Sequence, residues 1–377
     1  MPQALLGAVI AFAVSLLLTS VLVVAGNRFG WVALPRPDRW HQRPTALYGG
    51  VGIFVALLVA AAVVIPSLAG RVSYEFAGLL LGGVLTFAIG LRDDIRAVNA
   101  IVKLTGQVVA CIVFLVGLGL QFAPGHSELF LLTLPVAILW MLGLTNGFNL
   151  LDNMDGLTAG TSLVVGTILS LFLSLAGVPA MGAVAAIAAG ASAGFLVFNF
   201  QPKHSAKIFM GDCGSMVLGY MLAGLALIGA WKLAGHGMIQ GLAVPILIMA
   251  VPIFDTTLVT VRRKVEGRSI SHGGKDHSSH RLVYAGLSEK QAVLVLWALS
   301  AVAGGTALGV WKLDNSAVSI GAVAVFTVAL GLLGSYLSRF AQKRSLPAGF
   351  NNSASSASPL DGPSPAGARV LSSGATN

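Results

Sequence analysis

The sequence predicts an all-α polytopic membrane protein with about eleven transmembrane helices. Hydrophobic residues make up 56% of its 377 positions, whereas charged residues make up only 10%. Soluble domains carry about 25% charged residues, so this chain has too little polar surface to cover a water-exposed globule. Its 46 glycines also suit a membrane interior, where small residues let helices approach closely. Composition therefore favours a lipid-embedded chain over a soluble one.

Eleven apolar segments have close to the length that crosses the hydrocarbon core, for which a helix needs about 20 residues. In chain order they span 4–25, 50–69, 76–92, 101–122, 129–145, 157–176, 180–198, 214–233, 238–259, 291–311 and 317–338, and the third and fifth are short. Residues 1–340 are therefore predicted to form a single transmembrane domain. The remainder, 341–377, is rich in Ser, Ala, Gly and Pro and is predicted to be a disordered cytoplasmic tail.

Basic residues are distributed unevenly between the two faces that these segments define. The loops after odd-numbered segments, together with the tail, hold 20 of the 23 Lys and Arg residues, and the other face holds Arg71, Lys232 and Lys312. Because Lys and Arg accumulate in cytoplasmic loops, the first face is predicted to be cytoplasmic and the N-terminus to lie outside. The same bias accounts for the net charge of +9, and no nucleic-acid partner is predicted.

Acidic residues gather in the cytoplasmic loops. Secondary transporters usually place their coupling carboxylates near the bilayer midplane, so this placement favours an enzyme that joins a soluble, charged donor to a lipid acceptor. Asp93 and Asp94 open the third loop as an adjacent pair. Neighbouring carboxylates repel each other unless a proton or cation neutralises them, and a hard cation is the expected partner. Lys103 either takes part in this site or only snorkels to the interface.

A group of polar side chains follows the fifth segment. Asn146, Asn149, Asp152 and Asp155 recur every three residues, a spacing that places them roughly on one face of a helical turn. The loop has no basic residue of its own. These groups therefore need an outside partner, for which a metal–phosphate complex or a nucleotide would serve.

The seventh and ninth loops carry the other candidate residues. Loop seven begins at Asn199 and contains Phe209 and Asp212, beside glycines that let the backbone approach a phosphate. Phe209 either stacks on a base or anchors the loop in the interface. Loop nine is basic, and its side chains either clamp a diphosphate or bind anionic headgroups. The residues singled out in loop nine are Arg263, His277 and His280.

Five motifs, in order and on one predicted face, together resemble the polyprenyl-phosphate N-acetylhexosamine-1-phosphate transferases. The resemblance runs from about Pro35 to Leu282. The motifs are Pro37-Asp38-Arg39-Trp40-His41 through Gly49-Gly50, Asp93-Asp94 with Val98 and Lys103, Asn146 to Gly156, Phe209 to Ser215, and Asp276 to Leu282. The chain departs from the family pattern at several positions. Among them, Asn153 replaces a Gly and Ser279 replaces a His.

The resemblance implies an enzyme of the bacterial inner membrane with its active-site loops on the cytoplasmic face. It would transfer a sugar 1-phosphate, foremost GlcNAc 1-phosphate, from a UDP-sugar to polyprenyl (undecaprenyl) phosphate and release UMP. Mg²⁺ is the implied cofactor, with Mn²⁺ as an alternative, and a homodimer is allowed. The implied catalytic residues are Asp93, Asp94, Asp152 and Asp155, the implied metal ligands are Asp212, Asp94 and Asn149, and the implied substrate-binding residues are Lys103, Asn146, Asn149, Asn199, Phe209, Arg263, His277, His280, Arg39 and His41.

The chemistry of the acceptor bears on the Asp-Asp pair. By resemblance, Asp93 or Asp94 is a base or nucleophile and the other assists the metal. A phosphomonoester has its second pKa near ~6, so most of the acceptor is already dianionic at neutral pH. We therefore assign the pair mainly a metal and positioning role.

Three other functions stay open at the level of sequence. One is phospho-N-acetylmuramoyl-pentapeptide transfer within the same family, although the His-Arg-Leu ending of loop nine favours GlcNAc. The second is transport of a phosphorylated solute by a multi-pass carrier. The third is binding of a lipid phosphate without catalysis.

Overall fold

A computed structural model describes residues 2–34, 43–69, 73–122, 127–201, 204–234, 237–269 and 274–344. In these ranges the chain forms thirteen helices and one two-stranded antiparallel sheet. The helices are α1 (Pro2–Phe29), α2 (Gly49–Ala69), α3 (Tyr74–Ile95), α4 (Ala100–Phe122), α5 (Ser127–Leu151), α6 (Leu157–Leu175), α7 (Pro179–Asn199), α8 (Asp212–Ala234), α9 (Met238–Ile248), α10 (Ala250–Val265), α11 (Ser278–Tyr284), α12 (Glu289–Leu313) and α13 (Ser316–Arg344). The strands are β1 (Val32–Ala33) and β2 (Thr45–Ala46).

The helices confirm the all-α polytopic fold class. In the described part of the chain, ten helices are long and apolar enough to cross a membrane, and a bent pair of shorter helices brings the number to as many as eleven. Helix α8 is central, since 89% of its most apolar window is buried, whereas α13 is peripheral with 11%. The placement of the N-terminus outside stays a prediction.

The bent pair corrects the prediction of one continuous segment over 238–259. Helices α9 and α10 meet at Met249 with a bend of 75°. The break is explained by Pro252, which has no N–H to bond the carbonyl of Ile248 and whose ring would collide with it. As a result, α10 leaves the direction of α9 and carries Asp255 into a buried position.

Two further corrections concern helix ends. Helix α3 continues to Ile95 and α5 continues to Leu151, so the predicted third and fifth segments were too short. The Asp-Asp pair and the two asparagines therefore lie on the last turns of helices instead of in loops. At the other end of the chain, α13 continues to Arg344, so the predicted start of the tail at 341 falls inside a helix, and residues 345–377 lie outside the described residues.

The loop before α2 is joined to the segment before α8. The backbone N–H of Phe209 donates to the carbonyl of Ala46 at 2.8 Å. In the other direction, the N–H of Gly49 donates to the carbonyl of Phe209 at 3.0 Å, and that of Gly50 donates to the carbonyl of Met210 at 2.8 Å. These bonds fix the chain immediately before the first residue of α8.

Candidate active site

Asp94 caps the N-terminus of α8 from a different helix. Its Oδ1 accepts the backbone N–H of Asp212 at 2.8 Å, and its Oδ2 accepts that of Cys213 at 2.9 Å. A carboxylate at this position satisfies unpaired N–H groups and opposes the positive end of the helix dipole. The close approach requires glycine at 211, where φ is +77° and a Cβ would lie 2.6 Å from Oδ2 of Asp94. The metal and catalytic roles implied for Asp94 stay predictions.

The neighbouring carboxylate, Asp93, lies with Asp212 around one cation. The Nζ of Lys103 donates to Oδ2 of Asp93 at 2.9 Å and also to Oδ2 of Asp212. The other oxygen of Asp93 accepts the backbone N–H of Val98 at 2.6 Å. Lys103 is thus ion-paired between two acidic side chains, and this contact favours participation in the site over snorkelling. Three separate helices, α3, α4 and α8, supply this group.

The two asparagines at the end of α5 have different partners. Asn149 donates through Nδ2 to Oδ1 of Asp212 at 2.9 Å and to Oγ of Ser215 at 3.0 Å. Asn146 instead exchanges two amide hydrogen bonds with Gln107 of α4, at 3.1 and 2.8 Å. Only Asn149 of the two is therefore in contact with the Asp212 carboxylate.

Asp152 and Asp155 lie in the turn after α5, because the helix ends at Leu151 before the predicted stripe is complete. Burial raises the pKa of Asp152 to about 8, and the negative charges of Asp212 and Asp94 add to the shift. Asp152 therefore retains its proton near neutral pH. Asp155 accepts the backbone N–H of Ala206 at 2.8 Å through Oδ2 and ties this turn to the segment before α8.

Asn199 has a structural role that the sequence did not predict. Its Oδ1 accepts the N–H of Gly156 at 2.7 Å, and its Nδ2 donates to the carbonyl of Ile208 at 2.9 Å. The side chain is buried, with 5% exposure. Because both polar atoms bind backbone groups, Asn199 ties the turn after α5 to the chain before α8. The substrate contact implied for Asn199 stays a prediction. Phe209 is half-buried beside this segment.

A second cluster surrounds Asp255, which was not among the predicted site residues. Its Oδ2 lies 2.8 Å from Nδ1 of His277, and its Oδ1 accepts from the backbone N–H of Ser278 at 2.7 Å and from its hydroxyl at 2.6 Å. Asp255 is fully buried. An acidic residue inside an apolar helix is costly unless it is paired, and that was the available signal. Asp255 orients the ring of His277 and anchors the start of α11.

Arg263 pairs with Asp276 in the same region. Its Nε and Nη2 donate to the two carboxylate oxygens at 3.0 and 2.9 Å, which is a bidentate contact. Burial alone would raise the pKa of Asp276, but the hydrogen bonds and charge of Arg263 lower it to about 2. Arg281 of α11 donates through Nε to the carbonyl of Asp276 at 2.7 Å. The diphosphate contact implied for Arg263 stays a prediction.

His277, immediately before α11, and His280, in its first turn, have ring centroids 5.8 Å apart. Burial, and then the charge of His277, lowers the pKa of His280 to about 3, so this ring is neutral at pH 7. The structure therefore brings most of the predicted residues into two clusters, one around Asp212 and one around Asp255, whereas Asn146 and Asn199 have other partners. Arg39 and His41 lie outside the described residues.

The Asp212 cluster has donors that suit a Mg²⁺ ion shared with a substrate. No group of three or more His, Cys, Asp or Glu side chains is placed to hold a metal within the described ranges. Mg²⁺, however, is commonly held by one or two carboxylates, with waters and substrate phosphates completing the shell. Asp93 and Asp212 already converge on one cation, the Lys103 ammonium, so their carboxylates lie close enough together to share a positive charge.

Comparisons with known proteins identify the family of this chain. A family model described as glycosyl transferase family 4 matches residues 76–230, which include α3 to α7 and most of α8. The probable undecaprenyl-phosphate N-acetylglucosaminyl 1-phosphate transferase of Bacillus subtilis (strain 168) is 33% identical over 301 residues, covering 77% of this chain and 81% of that protein. The decaprenyl-phosphate N-acetylglucosaminephosphotransferase of Mycobacterium tuberculosis (strain ATCC 25618 / H37Rv) is 32% identical over 348 residues, covering 82% and 84%.

A more distant relative has a different substrate in its name. The phospho-N-acetylmuramoyl-pentapeptide-transferase of Lacticaseibacillus paracasei is 28% identical over 330 residues, which cover 80% of this chain and 97% of that protein. The identity and coverage of the first two relatives are sufficient to assign the family. This chain belongs to the polyprenyl-phosphate N-acetylhexosamine-1-phosphate transferases.

Proposed function

We propose that this membrane protein transfers GlcNAc 1-phosphate from UDP-GlcNAc to a polyprenyl phosphate and releases UMP. The observation that carries the proposal is the convergence of Asp93 and Asp212 on one cation, at the ends of apolar helices. A site at such a boundary is within reach of both a dissolved nucleotide and a lipid phosphate. The names of the relatives that are more than 30% identical support GlcNAc over the muramoyl-pentapeptide.

The reaction forms a bond between an oxygen of the acceptor phosphate and the sugar-bearing phosphorus, and it breaks the bond from that phosphorus to UMP. Because most of the acceptor is already dianionic above pH ~6, no protein base is needed to create the nucleophile. Asp93 and Asp212 would hold Mg²⁺, which supplies charge neutralisation for the diphosphate. Asn149 orients the Asp212 carboxylate, and Lys103 holds the two carboxylates together.

The Asp255 cluster would bind the rest of the donor. His277 is oriented by a buried carboxylate, and a ring held in this way presents its second nitrogen in a defined direction. A fixed donor is catalytically useful, because phosphoryl transfer depends mainly on in-line positioning and charge stabilisation. Arg263 stiffens the entry to α11 through Asp276.

The orientation of the site is part of the proposal. The excess of Lys and Arg on the face that carries Asp93 and Asp212 favours the cytoplasmic side, where a nucleotide sugar is available. Green fluorescent protein fused after the full chain tests this, since it fluoresces only when it folds in the cytoplasm. We expect the cells to be fluorescent. Cells that lack fluorescence although the fusion protein is intact and inserted in the membrane would overturn this orientation.

The activity is tested by incubating the purified full-length protein with undecaprenyl phosphate, Mg²⁺ and either radiolabelled UDP-GlcNAc or UDP-MurNAc-pentapeptide. We expect UMP release and a labelled lipid product with UDP-GlcNAc as the donor, and neither with UDP-MurNAc-pentapeptide. EDTA should abolish both signals until Mg²⁺ is restored. Asp212→Asn should be inactive, whereas Ser192→Ala, a buried change inside α7, should keep full activity. Turnover of the pentapeptide substrate alone would reassign the donor. Exchange of intact nucleotide sugar across liposomes without UMP release would refute the enzyme.

A further inference from the structure

Two segments of the site are joined by a short hydrogen bond between uncharged side chains. The hydroxyl of Ser279, in α11, donates to Oδ1 of Asn153 at 2.6 Å. Asn153 follows α5 and is itself fixed, because its Nδ2 donates to the carbonyl of Leu150 at 2.8 Å. Ser279 is fully buried. The bond therefore connects the turn that carries Asp152 and Asp155 to the helix that carries the histidines.

Both partners stand where the sequence departs from the family motifs. Asn153 replaces a glycine and Ser279 replaces a histidine, so one side chain is larger than the pattern and the other is smaller. The structure shows that these two positions face each other. Because Ser279 is fully enclosed and contacts Asn153, an imidazole at position 279 would have to displace the Asn153 side chain. The larger side chain at 153 and the smaller one at 279 thus share one hydrogen bond in an enclosed space.

The position of α11 depends on contacts of this kind. The helix has seven residues, and a helix of this length is not stable unless other parts of the protein hold it in place. Asp255 of α10 holds its first residue through Ser278, and the preceding carbonyl of Asp276 holds Arg281. The Asn153 bond adds an attachment in a different direction, toward the carboxylates after α5.

We propose that Asn153 and Ser279 act as a coupled positioning pair that sets the separation between the carboxylate turn and the histidine helix, and thereby the fit of the UDP-sugar donor. This inference rests on the proposed transferase function. Neither residue needs to touch the substrate. The pair acts through Asp152 on one side and through His277 and His280 on the other.

An exchange of both residues tests the compensation. Ser279→His alone should lower kcat/KM for UDP-GlcNAc at least about a hundredfold, because the imidazole collides with Asn153. The double variant Asn153→Gly with Ser279→His should recover at least about tenfold of this loss, since the glycine vacates the space. A double variant no better than Ser279→His would overturn the proposal.

A cycle of alanine variants decides the matter even if the histidine variants fail to fold. Asn153→Ala and Ser279→Ala should each raise KM for UDP-GlcNAc by roughly tenfold, with a smaller change in kcat. The double alanine variant should be no worse than Asn153→Ala alone, because that change already breaks the bond to Ser279. Ser192→Ala is the matched control, since that buried hydroxyl bonds within its own helix at 2.8 Å.

Two results would overturn the pair. Additive losses in the double alanine variant would show that the residues act independently. A fall in apparent kcat at unchanged KM in both single variants would show only a loss of folded protein. If instead the wild-type enzyme itself releases no UMP, the transferase proposal fails, whereas an active wild type with additive variants refutes the pair alone.

Discussion

Replacing Asp94 by Asn tests whether the two adjacent carboxylates have separate tasks. Asp94 accepts two backbone N–H bonds at the start of α8, at 2.8 and 2.9 Å, whereas Asp93 accepts from the Lys103 ammonium at 2.9 Å. Asparagine keeps one carbonyl oxygen but turns an NH₂ group toward the second backbone N–H. One charge-assisted hydrogen bond is lost, and the helix end loses its opposing charge.

The magnitude follows from these contacts. A hydrogen bond to a charged group contributes about 1.5–3 kcal/mol, and a charge at a helix end contributes about 0.3–2 kcal/mol. Asp94→Asn should therefore lower the free energy of unfolding by roughly 2–5 kcal/mol. Asp93→Asn breaks a partly exposed ion pair and should cost less than about 1 kcal/mol. The pair of variants thus separates folding from metal binding.

The assay combines thermal unfolding of the purified protein in detergent with Mg²⁺ titrations of turnover. Asp94→Asn should lower the unfolding midpoint by several degrees and leave the half-saturating Mg²⁺ concentration within about twofold of wild type. Asp93→Asn should keep the midpoint and raise that concentration at least about tenfold. A raised half-saturating Mg²⁺ concentration in Asp94→Asn, together with an unchanged unfolding midpoint, would refute the capping assignment. An unchanged Mg²⁺ dependence in a crippled Asp93→Asn enzyme would assign that residue the base role.

Three other predictions follow from the same contacts. Asp255→Asn should lower kcat/KM for UDP-GlcNAc about 10–100-fold, because the ring of His277 loses its orienting charge, and wild-type kinetics would contradict this. The pKa of His280 is lowered to about 3, so protons bind the unfolded chain first as pH falls below 6.5. Between pH 7 and pH 5 the wild type should therefore lose about 2 kcal/mol of stability relative to His280→Gln, and the same pH dependence in both proteins would contradict this. Gly211→Ala should destabilise the protein and abolish turnover, because its Cβ would meet the Asp94 carboxylate that caps α8. Gly177→Ala is the matched control, since its φ is a similar +82° and the space around its Cβ is open. Equal effects of the two variants would refute the steric argument.

The transmembrane helices could be predicted because the hydrocarbon thickness sets their length. Apolar runs of that length are visible without any tertiary information. The ends were less predictable, since a charged pair such as Asp93-Asp94 lowers local hydropathy without stopping the helix, which continues to Ile95. The bend at Met249 was missed because a hydropathy average runs through Pro252 without registering the lost N–H.

The site was predicted in its composition but not in its pairing. Polar motifs on one face indicated that Asp93, Asp94 and Asp212 belong to one boundary, and the structure brings them together. Which atoms meet depends on tertiary approach between residues that are 118 positions apart, as in the contact of Asp94 with the start of α8. The same holds for Asn199, since the sequence does not reveal that its amide bonds the backbone groups of Gly156 and Ile208.

The charges of the two clusters give a reason for a divalent ion that is independent of the motifs. In the Asp212 cluster, the carboxylates of Asp93, Asp94 and Asp212 face a single ammonium, that of Lys103, while Asp152 is neutral because its pKa is raised to about 8. Two negative charges therefore remain, partly offset by the N-terminus of α8. A diphosphate brought to this place would be repelled, and one divalent cation would cancel the two charges and remove the repulsion. In the cluster around Arg263, guanidinium groups lie close to the carboxylates and balance their charge. A metal ion would therefore increase donor binding more at the carboxylates of α3 and α8 than at the Arg263 cluster.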